Sequence, residues 1–184
     1  MDKKAKLWKK LSSDILLDHE RLSIIEDTVL LPNGKKSKYI HIAPNREDSV
    51  IMIAINHKNE IAVQKEYSYP PNKIMWQLPG GSMNKNEEIE LAAKRELAEE
   101  SGYSANKTEI IGYFYTQNRL SNQRQHVVLC TELYKHELPA DEDEFIDTYW
   151  ITKKKIELMI SKGDINNINT LAALNIWFYN RRKL

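Results

Sequence analysis

The chain has 184 residues, 27 Lys and Arg against 26 Asp and Glu, and one cysteine. That length fits one main domain with a small additional piece and a sizeable core. A formal net charge of +1 excludes a global field that would gather nucleic acid. A lone cysteine excludes an intrachain disulfide and suits a reducing compartment, and no apolar run is long enough for a signal peptide or a bilayer span.

The lysines at the start (Lys3, Lys4, Lys6, Lys9 and Lys10) read as a solvated, frayed terminus. Residues 12 to 45 read as short strands with tight turns. One strand breaks at Pro32-Asn33-Gly34, and KYIHIA resumes as the next and stops near Pro44. This predicts a small antiparallel sheet over residues 1–46, too weak to stand unpacked. SVIMIAIN and KNEIAVQKEYS read as a strand pair about a turn near His57 to Asn59. After the loop Tyr69-Pro70-Pro71-Asn72, IMWQLP is a strand ending at Gly80-Gly81. A helix is expected from about Glu87 to Ser101, with Asn84 as N-cap, Glu87 completing a capping box and Gly102 as the left-handed stop. TEIIGYFYTQ and RQHVVLCTEL are strands around the loop Asn118 to Gln123, and Asp147 to Ile151 is a short strand. KKKIELMISK is a helix stopped by Gly163. Asn166 to Arg182 is a final amphipathic helix with Leu171, Leu174, Trp177 and Phe178 at helical spacing. Strands and helices mix without regular alternation, which argues α+β, with the main domain over residues 47–184.

The chemistry concentrates in GSMNKNEEIELAAKRELAEESGY, Gly81 to Tyr103. At 100° per residue, Glu96, Glu99 and Glu100 project from one side of the helix. Ile89, Ala92, Ala93 and Leu97 form the stripe that seats it, and Arg95 lies one turn before Glu99. Clustered hard oxygen donors suit Mg²⁺ or Mn²⁺, and no His or Cys joins them to favour zinc. The alternative for the helix alone is a solvated acidic face with ordinary ion pairs.

The spacing decides between these. Gly81, five residues, Glu87, seven residues, Arg95-Glu96-Leu97, one residue, Glu99-Glu100, one residue, Gly102-Tyr103 is the full Nudix box. The chain resembles the Nudix hydrolases, and within them the ADP-ribose pyrophosphatase-like group. The resemblance implies an α/β/α sandwich with a mixed sheet behind the small N-terminal sheet. It implies Mg²⁺-dependent (Mn²⁺ is possible) hydrolysis of a nucleoside diphosphate sugar to a nucleoside monophosphate and a sugar phosphate. Glu96, Glu99, Glu100 and the Gly80 carbonyl are then the metal ligands. Gly81, Glu87 and Gly102 shape the loop, and Arg95 braces it beside the reacting groups; Glu99 and Arg95 count among the catalytic candidates.

In ELPADEDEFIDTYW, Glu142 is the expected general base and Glu144 a further metal ligand; a solvated acidic turn is the alternative. Ser68 stands where the family often carries an arginine that contacts phosphate or ribose. Thr116 to Ser121 replaces a frequent Ser-Pro-Gly turn. Arg119 and Arg124 are the candidates to replace the missing arginine, and Tyr69 is the candidate to stack on a base. The group's N-terminal sheet implies a homodimer acting on small nucleotides; the lone cysteine and the short apolar runs give the expectation of a cytoplasmic protein without a membrane partner, and the near-neutral charge that of no nucleic-acid partner. Other Nudix substrates (a nucleoside triphosphate, a dinucleoside polyphosphate, capped RNA) are the competing reading, and a non-catalytic nucleotide-binding module is a further one. Cys130, within HVVLC, reads as a buried structural thiol, Trp76 as a packing residue and His126 as a hydrogen-bonded core residue.

Overall fold

The computed structural model describes residues 6–19, 22–43, 47–139 and 145–180. The chain divides into two compact units, Met1–Arg46 with Gln117–Gln123, and Glu47–Thr116 with Arg124–Leu184.

In the first unit, β1 (Lys9–His19), β2 (Leu22–Leu30) and β3 (Lys36–Ile42) form an antiparallel sheet in chain order. The β2–β3 turn is closed by Leu31 N–H donating to the Lys35 carbonyl at 2.8 Å and Gly34 N–H to the Leu31 carbonyl at 2.9 Å. Gly34 has φ +80°, which glycine adopts without side-chain strain. Lys9 and Lys10 lie inside β1, so the first strand starts earlier than the lysine-rich sequence suggests. Cross-strand pairing with Leu30 and Val29 recruits them. The segment Gln117–Gln123 joins this unit through Ile42 N–H to the Leu120 carbonyl at 2.7 Å and the Tyr39 hydroxyl to the Arg119 carbonyl at 2.6 Å.

The second unit runs β4 (Ser49–Ala54), β5 (Glu60–Ser68), β6 (Lys73–Gln77), α1 (Ile89–Ser101), β7 (Tyr103–Tyr115), β8 (Arg124–Lys135), β9 (Ile146–Thr152), α2 (Lys153–Lys162) and α3 (Ile168–Asn180). One sheet, ordered β4-β8-β7, is mixed: β4 runs parallel to β8 and β7 antiparallel. The other, β6-β5-β9, is antiparallel. Period-2 alternation assigns each strand face. Ile51 and Ile53 of β4 and Ile61 and Val63 of β5 pack with Ile156, Met159, Leu174 and Trp177 of α2 and α3. Val50, Met52 and Ala54 of β4 and Ala62 of β5 pack with Ala92, Ala93 and Leu97 of α1. The result is an α/β/α sandwich.

Two local expectations differ. The turn after β4 forms, with Asn59 at φ +59°, but among the described residues the backbones pair only at the Ile55–Ile61 bridge beyond the end of β4, and β4 and β5 belong to different sheets. Each strand carries apolar residues on both faces: β5 is satisfied at the centre of its sheet, and β4, at the edge of its own, is covered by the Pro79–Gly81 backbone. The helix begins at Ile89, with Glu88 at the cap and no side-chain cap bond. Glu87 does reach back to the Asn84 N–H at 2.8 Å, but it closes a turn before the helix. The same carboxylate also accepts from Arg95.

Candidate active site

The loop from Gly80 to Glu88 is sewn to the edge of β4. Met52 N–H donates to the Pro79 carbonyl, Val50 N–H to the Gly81 carbonyl, and Met83 N–H to the Asp48 carbonyl, at 2.9 to 3.0 Å. Both glycines are there for space. A Cβ on Gly80 would overlap the Val50 carbonyl and the Ile51 backbone, and one on Gly81 would fall on the Glu96 carboxylate. The small faces of Ala92 and Ala93 let α1 lie close to the sheet, and Gly102 ends it at φ +71° with its N–H on the Ala98 carbonyl.

Arg95 organises the acidic cluster. Its Nε and Nη2 form a fork on Glu87, at 2.9 and 3.0 Å; Nη1 donates to Glu96 at 2.8 Å and to Glu99 at 2.9 Å; Nη2 also donates to the Ser82 carbonyl at 3.0 Å. All five guanidinium donors are used, which a lysine ammonium has neither the number nor the planar geometry to copy. These bonds hold Glu87 below the ordinary carboxylate range despite the opposing effect of partial burial. The same carboxylates push Arg95 further above its already high range. Glu96 is buried. Glu100 faces a different pair of donors: the amide of Gln64 and the Gly80 N–H each reach its Oε2 at 3.0 Å. Thr148 Oγ1 donates to the Glu100 carbonyl.

Gln64 was missed in the sequence. It is fully buried on β5, two residues from Ala62 and therefore on the α1 side, and its amide oxygen has no hydrogen-bond partner among the described residues. An aliphatic side chain would avoid that desolvation cost, so the amide is retained in the core to grip Glu100. The readable signal was a polar residue at an inward position of an otherwise apolar strand. Asp48 was also missed. It accepts from the Arg124 backbone and guanidinium at 2.9 Å and lies 2.9 Å from His126 Nε2, pinning the start of β4 beside the loop. Burial pushes its carboxyl up, but these donors outweigh it and hold it below its ordinary value.

The remaining candidates are spread out. Arg124 is spent on Asp48 and lies over the Tyr113 ring. Arg119 belongs to the first unit, where it lines a cavity of about 310 Å³ with Tyr39 and His41. Tyr69 is 81% exposed at a turn, with its ring against Tyr67. Trp76 packs on Tyr149, and His126 is buried on Asp48. Burial pushes the Cys130 thiol up to about 12. Glu142 and Glu144 lie outside the described residues.

Among the described residues, no three carboxylate, imidazole or thiolate groups stand as a ready metal cage. Glu96 and Glu99 accept from Arg95, while Glu100 accepts from Gln64 and Gly80. The donor set nonetheless fits a hard divalent cation. Glu87, Glu96 and Glu99 share the Arg95 guanidinium, Glu100 follows Glu96 and Glu99 on α1, and every ligand atom offered is an oxygen.

A loop–helix–loop of this build, with α1 on one face of β4 and β5 and its glutamates beside the Gly80-Gly81 turn, is a diphosphate-bond hydrolase scaffold. The NUDIX domain matches residues 45–174, and the chain belongs to that family; it is a Nudix pyrophosphohydrolase. Members of the family generally depend on a divalent metal. The chain is 29% identical to the ADP-ribose pyrophosphatase of Bacillus subtilis (strain 168), over 90% of each chain. It is 32% identical to the methanol dehydrogenase activator of Bacillus methanolicus, over 80% of each. A crystal structure of an ADP compounds hydrolase superposes over the whole of both chains with a TM-score of 0.89 at 18% identity, which establishes the fold. No described helix is long and apolar enough to cross a membrane.

Proposed function

We propose that the enzyme hydrolyses the diphosphate bond of a nucleoside diphosphate sugar of the ADP-ribose kind, giving a nucleoside monophosphate and a sugar phosphate. The observation that carries this is the Arg95-centred carboxylate cluster packed against Gly81, on a chain similar along nine-tenths of its length to an ADP-ribose pyrophosphatase. Glu96, Glu99, Glu100 and the Gly80 carbonyl would hold Mg²⁺, with Mn²⁺ as a substitute, and Glu144 would join them. When bound, that cation neutralises the diphosphate oxygens and lowers the pKa of the attacking water. Arg95 fixes Glu87, Glu96 and Glu99 in one arrangement, and Gln64 with Gly80 fixes the Glu100 carboxylate without neutralising it. Glu142 takes the proton from the water. Tyr69 offers an exposed ring face to a base, and Arg119 and Arg124 are the cations proposed for the role left open at Ser68.

The active form is proposed to be a cytoplasmic homodimer built through the N-terminal sheet. Among the described residues β1 pairs on one edge only, and Leu11, Ile15, Leu16 and Leu17 are exposed, an apolar surface that a second copy would cover. Light scattering after size exclusion tests that.

The test of function is a panel of diphosphate compounds with Mg²⁺ or with chelator and chromatography of the products. ADP-ribose should yield AMP and ribose 5-phosphate only with metal. Glu100→Gln should abolish turnover while melting like the wild type, because its amide oxygen still accepts from Gln64 and Gly80. Near-normal turnover by that variant would overturn the ligand assignment. Preference for a nucleoside triphosphate, a dinucleoside polyphosphate or capped RNA would overturn the substrate class.

A further inference from the structure

The second unit holds a small cavity of about 90 Å³ lined by Ile51, Gln77, Leu78, Gly80, Gln125, Asn167, Asn169 and Thr170. Two of its amides are already engaged. Gln77 donates to Glu66, and Asn167 donates to the Trp76 carbonyl at 2.8 Å while accepting the Thr170 N–H at 2.9 Å. Two are not. The amide oxygens of Gln125 and Asn169 are buried with no hydrogen-bond partner among the described residues, although Gln125 is only 8% exposed. The Gln125 nitrogen faces the Val50 carbonyl at 3.5 Å, an orientation that a flip would exchange for two opposed oxygens.

The cavity is therefore a place that asks for donors. None of its described lining residues is charged, so a phosphate, itself an anion and an acceptor, is repelled by the two amide oxygens. Its apolar lining is Ile51 and Leu78 alone, with no aromatic platform for a base. It shares Gly80 with the loop that carries the acidic cluster. We propose that this cavity is a subsite for the hydroxyl groups of the sugar attached to the diphosphate, with Gln125 and Asn169 as the acceptors that recognise them. The proposal rests on the nucleoside diphosphate sugar reading and deepens it: the specificity lies in neutral hydroxyl donors and not in a third phosphate.

The experiment is a cycle between protein and substrate. Turnover of ADP-ribose is compared with that of an ADP alkyl ester, whose distal group has no hydroxyls, in the wild type, Asn169→Leu and Gln125→Leu. The preference of kcat/KM for ADP-ribose should fall about tenfold in each variant, the loss of one ordinary hydrogen bond, and the change should sit in KM. Asn169→Ser, which keeps an acceptor, should restore part of it. In parallel, binding of ribose 5-phosphate and of inorganic phosphate to the wild type and Asn169→Leu is followed by calorimetry. Ribose 5-phosphate should lose affinity in the variant and phosphate should not. An unchanged preference between the two substrates, or equal affinity of ribose 5-phosphate for both proteins, would show that the cavity holds only water and overturn the subsite. Absence of any diphosphate hydrolysis overturns the functional reading, and the calorimetry still decides the subsite.

Discussion

Replacing Arg95 tests whether the acidic cluster is held by one side chain. Arg95→Met keeps the aliphatic stem and removes all five donors, leaving Glu87, Glu96 and Glu99 facing one another. Breaking a buried ion pair by removing one partner costs about 3 to 5 kcal/mol. The Arg95 side chain is 25% exposed and Glu99 likewise, so solvent screening reduces this to roughly 2 to 4 kcal/mol. For a chain of this size that corresponds to a fall in Tm of about 5 to 15 °C, within the stability of an ordinary domain. Arg95→Lys restores the charge but only three rotatable donors, and should recover less than half of the loss. Scanning calorimetry measures both, and isothermal titration with Mn²⁺ measures metal affinity on the same samples. The expected result is a weaker site in both variants, because carboxylates freed from the guanidinium repel each other out of register. A Tm for Arg95→Met within about 2 °C of the wild type would refute the reasoning, since such a small shift corresponds to under about 1 kcal/mol.

Other perturbations follow the same logic. Gly81→Ala should fold, since the side chain it meets is flexible, but should displace the Glu96 carboxylate and lower turnover by about a hundredfold or more, as misplacement of a reacting geometry does; a steady-state assay with circular dichroism checks both halves. Gln64→Leu should melt no lower than the wild type and possess weaker Mn²⁺ affinity, because a buried amide with an unpartnered oxygen is exchanged for an aliphatic group at the expense of the Glu100 grip; a titration identical to the wild type would rule out the positioning role. Asp48 has a carboxyl held below its ordinary 3.8, so its stabilising contribution is present above the unfolded value and lost as pH falls through the folded one. Asp48→Asn should therefore be less stable than the wild type at pH 7, with the gap closing below about pH 4 in urea titrations. Cys130, buried and with its thiol pushed up to about 12, should resist a thiol reagent in the native protein and react once it is unfolded.

The elements legible in the sequence were those whose signal is local. Gly34 and Gly102 stop or turn the chain because of their own backbone freedom, and α1 declares its seat through Ala92, Ala93 and Leu97 at helical spacing. The acidic cluster was legible for the same reason, since Arg95, Glu96, Glu99 and Glu100 lie within six residues and one helix fixes their relation. Pairing was not. The turn at Asn59 suggests a hairpin, yet β4 and β5 belong to different sheets, because what decides a partner is the apolar face of a strand more than sixty residues away. The residues overlooked at the site share that property. Gln64 meets Glu100 across 36 positions, Asp48 meets Arg124 across 76, and Leu78 meets Thr170 across 92. None of these pairs lies within one element, so no local pattern names the partner. The helix thus encodes the bond to be broken in one short stretch, whereas the groups that aim Glu100, and those proposed to accept a sugar hydroxyl, are assembled only when distant strands close on one another. That asymmetry is why a motif can identify the reaction and still leave the substrate to be read from the fold.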